Sequence, residues 1–336
     1  MEIEEQEGEK NPIDDAFIQE DLFAVVRNKV QKLIEESAKV LVGQDELIEL
    51  MTIAMVCNGH VLLEGVPGVA KTLAAKTFAR CVNSGFSRIQ FTPDLMPSDI
   101  IGTSVFNSKN ANFDFKPGPV FSNIILIDEI NRSPAKTQSA LFEVMEEKQI
   151  SYDGKTYQME EPFMVIATQN PVEHEGTYRL PEAQLDRFLL KVIVNYPHPD
   201  DELNILKKFR GAPPKSELDH VQAILSPEEI KAIKVQIEKI GVSEQIMLYI
   251  VNLIKETRNN IDIYLGASPR ASLALLRTSM ALAMIQGRNF VVPDDVQFMA
   301  PHVLAHRIIL TPEAEVMGKT NRDVLDSILH QIEVPR

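Results

Sequence analysis

A lysine and a threonine close the run Gly65-Val66-Pro67-Gly68-Val69-Ala70-Lys71-Thr72. Val61-Leu62-Leu63 precedes it and Leu73-Ala74-Ala75-Lys76-Thr77-Phe78-Ala79 follows, an order that reads as strand, glycine-rich turn and helix. That is the context a phosphate-binding loop requires. Glycines let the backbone fold tightly so that its N–H groups converge on an anion. The helix N-terminus adds unpaired donors and partial positive charge. Lys71 is placed to reach the β- and γ-phosphates of a nucleotide, and the Thr72 hydroxyl to ligate Mg²⁺. One position departs from the pattern G-x-x-x-x-G-K-[ST], because Ala70 stands at the second glycine. At a helix entrance a right-handed φ is expected to suffice, and alanine is the best helix former. The competing reading is an ordinary Gly/Pro turn with a solvated lysine; the flanking strand and helix favour phosphate.

A second pair of reactive groups ends the apolar run Ile124-Ile125-Leu126-Ile127. Asp128 and Glu129 are adjacent carboxylates at the end of a buried strand, which is costly unless they bind something. In a parallel α/β sheet the ligand crevice lies outside the carboxyl ends of the strands. Asp128 reads as the acid on the Mg²⁺ side, directly or through water. Glu129 reads as the base that orients and activates an attacking water. Gln169-Asn170 follows another apolar strand, where an amide can hold a phosphate or the water; alone, that signal is weak. Arg270 lies in the first turn of a helix opened by Ser268-Pro269, against the helix dipole. A residue that breaks a local rule is a candidate for function, and an arginine aimed at a triphosphate from a second domain explains it. His302 and His306 share a helix face without a Glu or Cys at metal-ligand spacing, which favours packing over zinc. There is no Ser/His/Asp elbow, no CxxC and no internal repeat.

The elements that must hold these groups can be read from periodicity. Five strands are expected, at 61–63, 88–91, 123–127, 163–168 and 189–194, interleaved with helices, which predicts an α/β fold with a parallel five-stranded sheet. A helix over 21–39 and another over 45–57 precede the first strand. The stretch 92–121 is rich in proline and glycine and contains an inserted hairpin, 103–106 with 112–115; so long an insertion is more often functional than idle. Asp153-Gly154 marks a second hairpin with both central residues at positive φ. Its tyrosines and methionine are open to two readings, cross-strand packing or contact with a client. From Tyr196-Pro197-His198-Pro199-Asp200 onward the pattern is helical throughout. The expected division is an acidic mobile tail over 1–20, a nucleotide-binding α/β domain over 21–197 and an all-α domain over 198–336.

Composition sets the outer bounds. The 336 residues are 44% apolar and 24% charged, typical of a globular chain. No apolar run has membrane-spanning length and no signal peptide is evident. Cys57 and Cys81 lie in apolar helical surroundings and read as buried thiols rather than a bridge, which fits a reducing cytoplasm. The net charge is −14, of which the first 21 residues, with nine acids and one lysine, carry −8. An acidic chain without a basic run gives no support for nucleic-acid binding.

Together these segments resemble the AAA+ ATPases, and within them the MoxR family. The matching residues are Val42-Gly43-Gln44, Leu63-Glu64 with the glycine-rich run, Phe91-Thr92-Pro93-Asp94-Leu95-Met96-Pro97-Ser98-Asp99-Ile100 and Phe115-Lys116-Pro117-Gly118-Pro119-Val120-Phe121. Asp128-Glu129-Ile130-Asn131-Arg132, Ala167-Thr168-Gln169-Asn170-Pro171, Leu185-Asp186-Arg187-Phe188 and Gly266-Ala267-Ser268-Pro269-Arg270-Ala271 match too. Ala70 is usual in this family. The resemblance implies a P-loop NTPase core with an all-α lid, ATP and Mg²⁺ as cofactors, and hydrolysis to ADP and phosphate. It makes Val42, Gly43 and the run Gly65, Val66, Pro67, Gly68, Val69, Ala70, Lys71, Thr72 and Leu73 nucleotide-binding. Asp128-Glu129 look like Walker B, Asn170 like sensor 1, Arg270 like sensor 2 and Arg187 like the arginine finger, with Arg132 and Arg179 its rivals. A finger serves a neighbouring subunit, so a ring, usually a hexamer, is implied. The family is associated with chaperone-like maturation or metal-cofactor insertion, with partners that often carry von Willebrand factor A domains. Two other readings stand beside it: the ATPase subunit of a metal chelatase, and a nucleotide-gated binding module whose hydrolysis is incidental. A nucleic-acid motor is disfavoured by charge.

Overall fold

The structure, a computed structural model, describes residues 12–109, 111–170, 178, 180–210 and 217–335. Arg179 and residues 1–11 of the expected tail lie outside the described residues. The first helix, α1 (Pro12–Ala38), starts earlier than expected, so residues 12–20 are helical rather than tail. Next come α2 (Asp45–Val56), β1 (Val61–Glu64), α3 (Lys71–Cys81), β2 (Phe86–Gln90) and α4 (Pro97–Ile101). A hairpin of β3 (Gly102–Asn107) and β4 (Asn112–Pro117) leads to β5 (Ile124–Asp128) and α5 (Ala135–Glu147). A second hairpin, β6 (Gln149–Tyr152) with β7 (Lys155–Gln158), precedes β8 (Met164–Gln169), α6 (Glu182–Leu185) and β9 (Leu190–Ile193).

The main sheet is parallel, with strand order β2-β5-β8-β1-β9. Its buried strands alternate between two cores. Ile124 and Leu126 of β5, Val61 and Leu63 of β1, and Met164 and Ile166 of β8 face one side. Ile125, Ile127, Leu62, Val165 and Ala167 face the other, with Leu141 and Phe142 of α5. The period of two is the pleat, and both faces are covered, as parallel sheets require.

The remainder is helical: α7 (Pro199–Phe209), α8 (Pro227–Ile237), α9 (Glu244–Asn259), α10 (Pro269–Ile285) and α11 (Pro293–Leu304). Then follow α12 (Pro312–Val316) and α13 (Asn321–Gln331). It is not wholly so, because β10 (Ile263–Leu265) pairs antiparallel with β11 (Ile309–Leu310). Ser226 caps α8 by accepting from Glu229 N, as expected, but Ser268 makes no side-chain cap on α10.

The two inserted hairpins touch. Ser104 N donates to the Tyr152 hydroxyl at 3.3 Å, and the Phe115 ring lies 4.9 Å from that of Tyr152 and 4.6 Å from that of Tyr157. The second hairpin's tyrosines are therefore packing residues, and its Met159 is buried. Asp153 and Gly154 both have positive φ, as the turn demands.

Candidate functional site

The end of β1 turns directly into the glycine-rich loop. Gly65 N donates to Gln169 O, which aligns the loop with the end of β8. A side chain at position 65 would meet Val194 O at 2.4 Å, so only glycine fits. Gly68 has φ +88° with open space around it, and Ala70 is also left-handed, at φ 60° and ψ 22°. A backbone of this kind forms an anion-binding concavity. The right-handed φ expected at Ala70 is thus corrected: the residue caps α3 in the left-handed region, at a cost of about 1 kcal/mol for an L side chain.

Lys71 and Thr72 open α3. The Lys71 amine donates to Gly65 O at 2.5 Å. Burial pushes this ammonium below the ordinary lysine range, while Asp128, Glu129 and Glu64 pull it back up. Asp128 ends β5 and is buried. Its Oδ2 pairs with Arg88 Nε at 2.5 Å, and its Oδ1 accepts from the Thr168 hydroxyl at 3.2 Å. That hydroxyl oxygen also accepts from Glu129 N at 3.0 Å. Glu129 is left-handed, with φ 58° and ψ 53°, the kind of strained backbone that clusters at functional sites. Its carboxylate accepts from Gln90 Nε2 at 2.7 Å and pairs with Arg132 at 3.3 Å. Asn170 is buried just past β8, level with Gly65.

Lys71, Thr72, Asp128, Glu129 and Asn170 therefore stand together at the carboxyl ends of β1, β5 and β8. Arg88, Gln90 and Thr168, which hold the acidic pair, were not evident in the sequence. The signal was the shared face of residues 88 and 90 on an alternating strand, which gains meaning only once β2 is known to border β5. A cavity of about 960 Å³ opens beside the loop. Gly43, Glu64, Val194, Tyr196 and His302 are among its lining residues. Gly43 is left-handed, and a side chain there would strike Asp201 Oδ2 at 2.4 Å.

The structure does not bring Arg187 or Arg270 to this group. Arg187 pairs with Glu146 at 2.8 Å, and Arg270 approaches Glu146 at 3.8 Å and Asp186 at 3.9 Å. These residues sit where the strands begin: Leu189 N donates to His60 O just before β1, and His60 Nε2 meets Met145 O at the end of α5. The length of β1, roughly 13 Å at the usual strand rise, separates them from the loop. Arg270, expected to aim at a triphosphate, thus stands with Glu146 and Asp186 in this structure. His302 and His306 are buried packing residues; His302 Nε2 lies 3.5 Å from Glu46, and His306 Nε2 bonds Phe188 O at 2.9 Å. Among the described residues no cluster of His, Cys, Asp and Glu is placed to hold a metal ion, and no helix is long and apolar enough to cross a membrane.

Residues 60–190 match the family model for the ATPase family associated with various cellular activities (AAA), and residues 255–328 match the AAA lid domain. The chain is 44% identical to Chaperone MoxR1 of Mycobacterium tuberculosis, covering 91% of this chain and 82% of that protein. It is 42% identical to the protein YeaC of Bacillus subtilis, covering 94% and 97%. A crystal structure of a putative ATPase from Cytophaga hutchinsonii superposes with a TM-score of 0.88 at 43% identity, covering 96% of this chain and 99% of that one.

Proposed function

The chain belongs to the MoxR family of AAA+ ATPases, and on that premise we propose that it hydrolyses Mg-ATP in a ring of identical subunits, with six the expected number, to remodel or mature a protein client. The observation that carries this is the meeting of the Lys71 cation with the Asp128-Glu129 pair at the carboxyl ends of the sheet. The half-buried lysine is a cation whose lost hydration a polyphosphate would replace. The left-handed backbone at Gly68 and Ala70 suits phosphate oxygens, and the cavity at Gly43 gives room for the purine.

The Thr72 hydroxyl and the Asp128 carboxylate are hard oxygen donors that fit Mg²⁺. When bound, the ion would offset the charge of the phosphate oxygens. Thr168 and Arg88 hold Asp128 in place for that task. Glu129 takes the proton of the attacking water, and Asn170 orients that water or the γ-phosphate. Arg187 and Arg270 serve the triphosphate of the next subunit, because in their own chain they pair with Glu146 and Asp186 rather than with the groups around Lys71. A finger in trans makes hydrolysis depend on assembly.

The name of the Mycobacterium relative supports a client-remodelling role. On the strength of the resemblance, the partner carries a von Willebrand factor A domain and the work includes metal-cofactor insertion. The free thiols of Cys57 and Cys81 favour the cytoplasm.

Nucleotide titration and phosphate release on three proteins test the reading. Lys71→Ala is expected to lose nucleotide binding. Glu129→Gln is expected to bind ATP as the wild type does and to turn over about 10²–10⁴ times more slowly. Wild-type turnover by Glu129→Gln would remove Glu129 as the base, whereas a wild-type rate that stays very slow even at ring-forming concentrations would favour a nucleotide-gated binding module.

A further inference from the structure

Arg187 and Arg270 share one carboxylate. Glu146, the penultimate residue of α5, binds the Arg187 guanidinium through Nε at 2.9 Å and Nη2 at 2.8 Å. Its other oxygen lies 3.8 Å from Arg270. Arg187 is further fixed by donation to Ala183 O at 3.0 Å and by stacking 5.8 Å above the Phe142 ring. Arg270 continues the chain to Asp186 at 3.9 Å, and Asp186 is anchored at 2.6 Å by the buried Arg307. The order Arg187–Glu146–Arg270–Asp186–Arg307 alternates in sign and holds three cations against two anions.

Stability does not account for this layout. Arg270 is 53% exposed and Glu146 40%, and ion pairs so solvated contribute well under 1 kcal/mol. Geometry does. A guanidinium must stand within a fraction of an ångström of its transition-state position, and a misplacement of about 1 Å costs on the order of 10²-fold in rate. We infer that Glu146 is a positioning residue that holds Arg187 and Arg270 side by side, so that both reach the same phosphate chain of the adjoining subunit. This rests on the proposal that these arginines act in trans.

Subunit mixing tests it with full-length chains. Arg187→Ala keeps a nucleotide site but offers no finger; Lys71→Ala keeps the fingers but has no site. Each alone is inactive, and their mixture is expected to recover turnover. Placing Glu146→Ala in the Lys71→Ala chain, the arginine donor, is expected to lower the recovered kcat by about tenfold or more, with KM within about twofold. Placing Glu146→Ala in the Arg187→Ala chain should leave recovery intact, which excludes a general folding defect. No recovery in the first mixture overturns the trans reading itself. Recovery that is unaffected by Glu146→Ala in the donor, or lost equally from either chain, overturns the role of Glu146 alone. Faster turnover by the single Glu146→Ala variant would make Glu146 a latch and also overturn the proposal.

Discussion

Ala70 holds a left-handed backbone that glycine adopts without penalty, and it holds it beside the lysine on which the site depends. Ala70→Gly is therefore expected to raise stability by about 1 kcal/mol, less what glycine gains in unfolded freedom, with nucleotide affinity unchanged. Chemical denaturation checks this; a destabilised glycine variant would show that the loop carries no strain at that residue. The sequence misled here because helix propensity describes the interior of a helix, whereas the residue before Lys71 is its cap. By contrast, Asp128 and Glu129 were legible because they close an apolar strand, and Lys71 because it follows a glycine-rich turn after one. Their supports were not. Arg88, Gln90 and Thr168 act across strands β2, β5 and β8, and strand adjacency is not written in chain order.

The elements themselves were readable wherever a local rule was strong. Asp153-Gly154 fixed one hairpin, and the all-apolar run of β5 marked a central strand. The pair β10–β11 was missed because strands of three and two residues carry no period. Also missed was the stitch between elements made by His60. Its Nδ1 accepts from Val165 N at 3.0 Å, so its Nε2 carries the proton and donates to Met145 O at 3.1 Å, tying β8 to α5. Burial lowers its pKa to about 4 from the ordinary 6.5, and burial also lowers that of His306. A folded pKa below the unfolded one means the unfolded chain takes up the proton first. Stability is therefore complete above about pH 6.5 and falls between there and pH 4, with His60 alone removing about 2 kcal/mol by pH 5. Urea midpoints at pH 7 and pH 5 measure it, and His60→Gln, though less stable at pH 7, should show the shallower slope. An equal slope in that variant would place the acid sensitivity elsewhere.

At the scale of the molecule, one core crosses the boundary that the sequence suggests near residue 198. Phe23 of α1, Leu63 of β1, Leu275 of α10 and Leu325 of α13 belong to the same buried cluster. Periodicity reveals which face of a helix is apolar but not which partner covers it, so this shared packing was not legible in the sequence. The seam is sealed by Arg307, just past α11, whose side chain is only 4% exposed. It donates to the carbonyls of Asp186, Phe188 and Leu189 while paired with Asp186. Arg270 touches the same Asp186 from the solvent side. Two arginines on one carboxylate thus have opposite expected effects. Arg307→Ala removes donors from several partly buried oxygens and is expected to cost about 3 kcal/mol, seen as a lower midpoint in calorimetry. Arg270→Ala removes an exposed pair and should cost under about 0.5 kcal/mol. If the second variant keeps its melting temperature yet loses ATP turnover in assembled rings, Arg270 is held at that surface for chemistry in the next subunit. If it melts as early as the first, Arg270 is a structural residue of its own chain and the proposal for it falls.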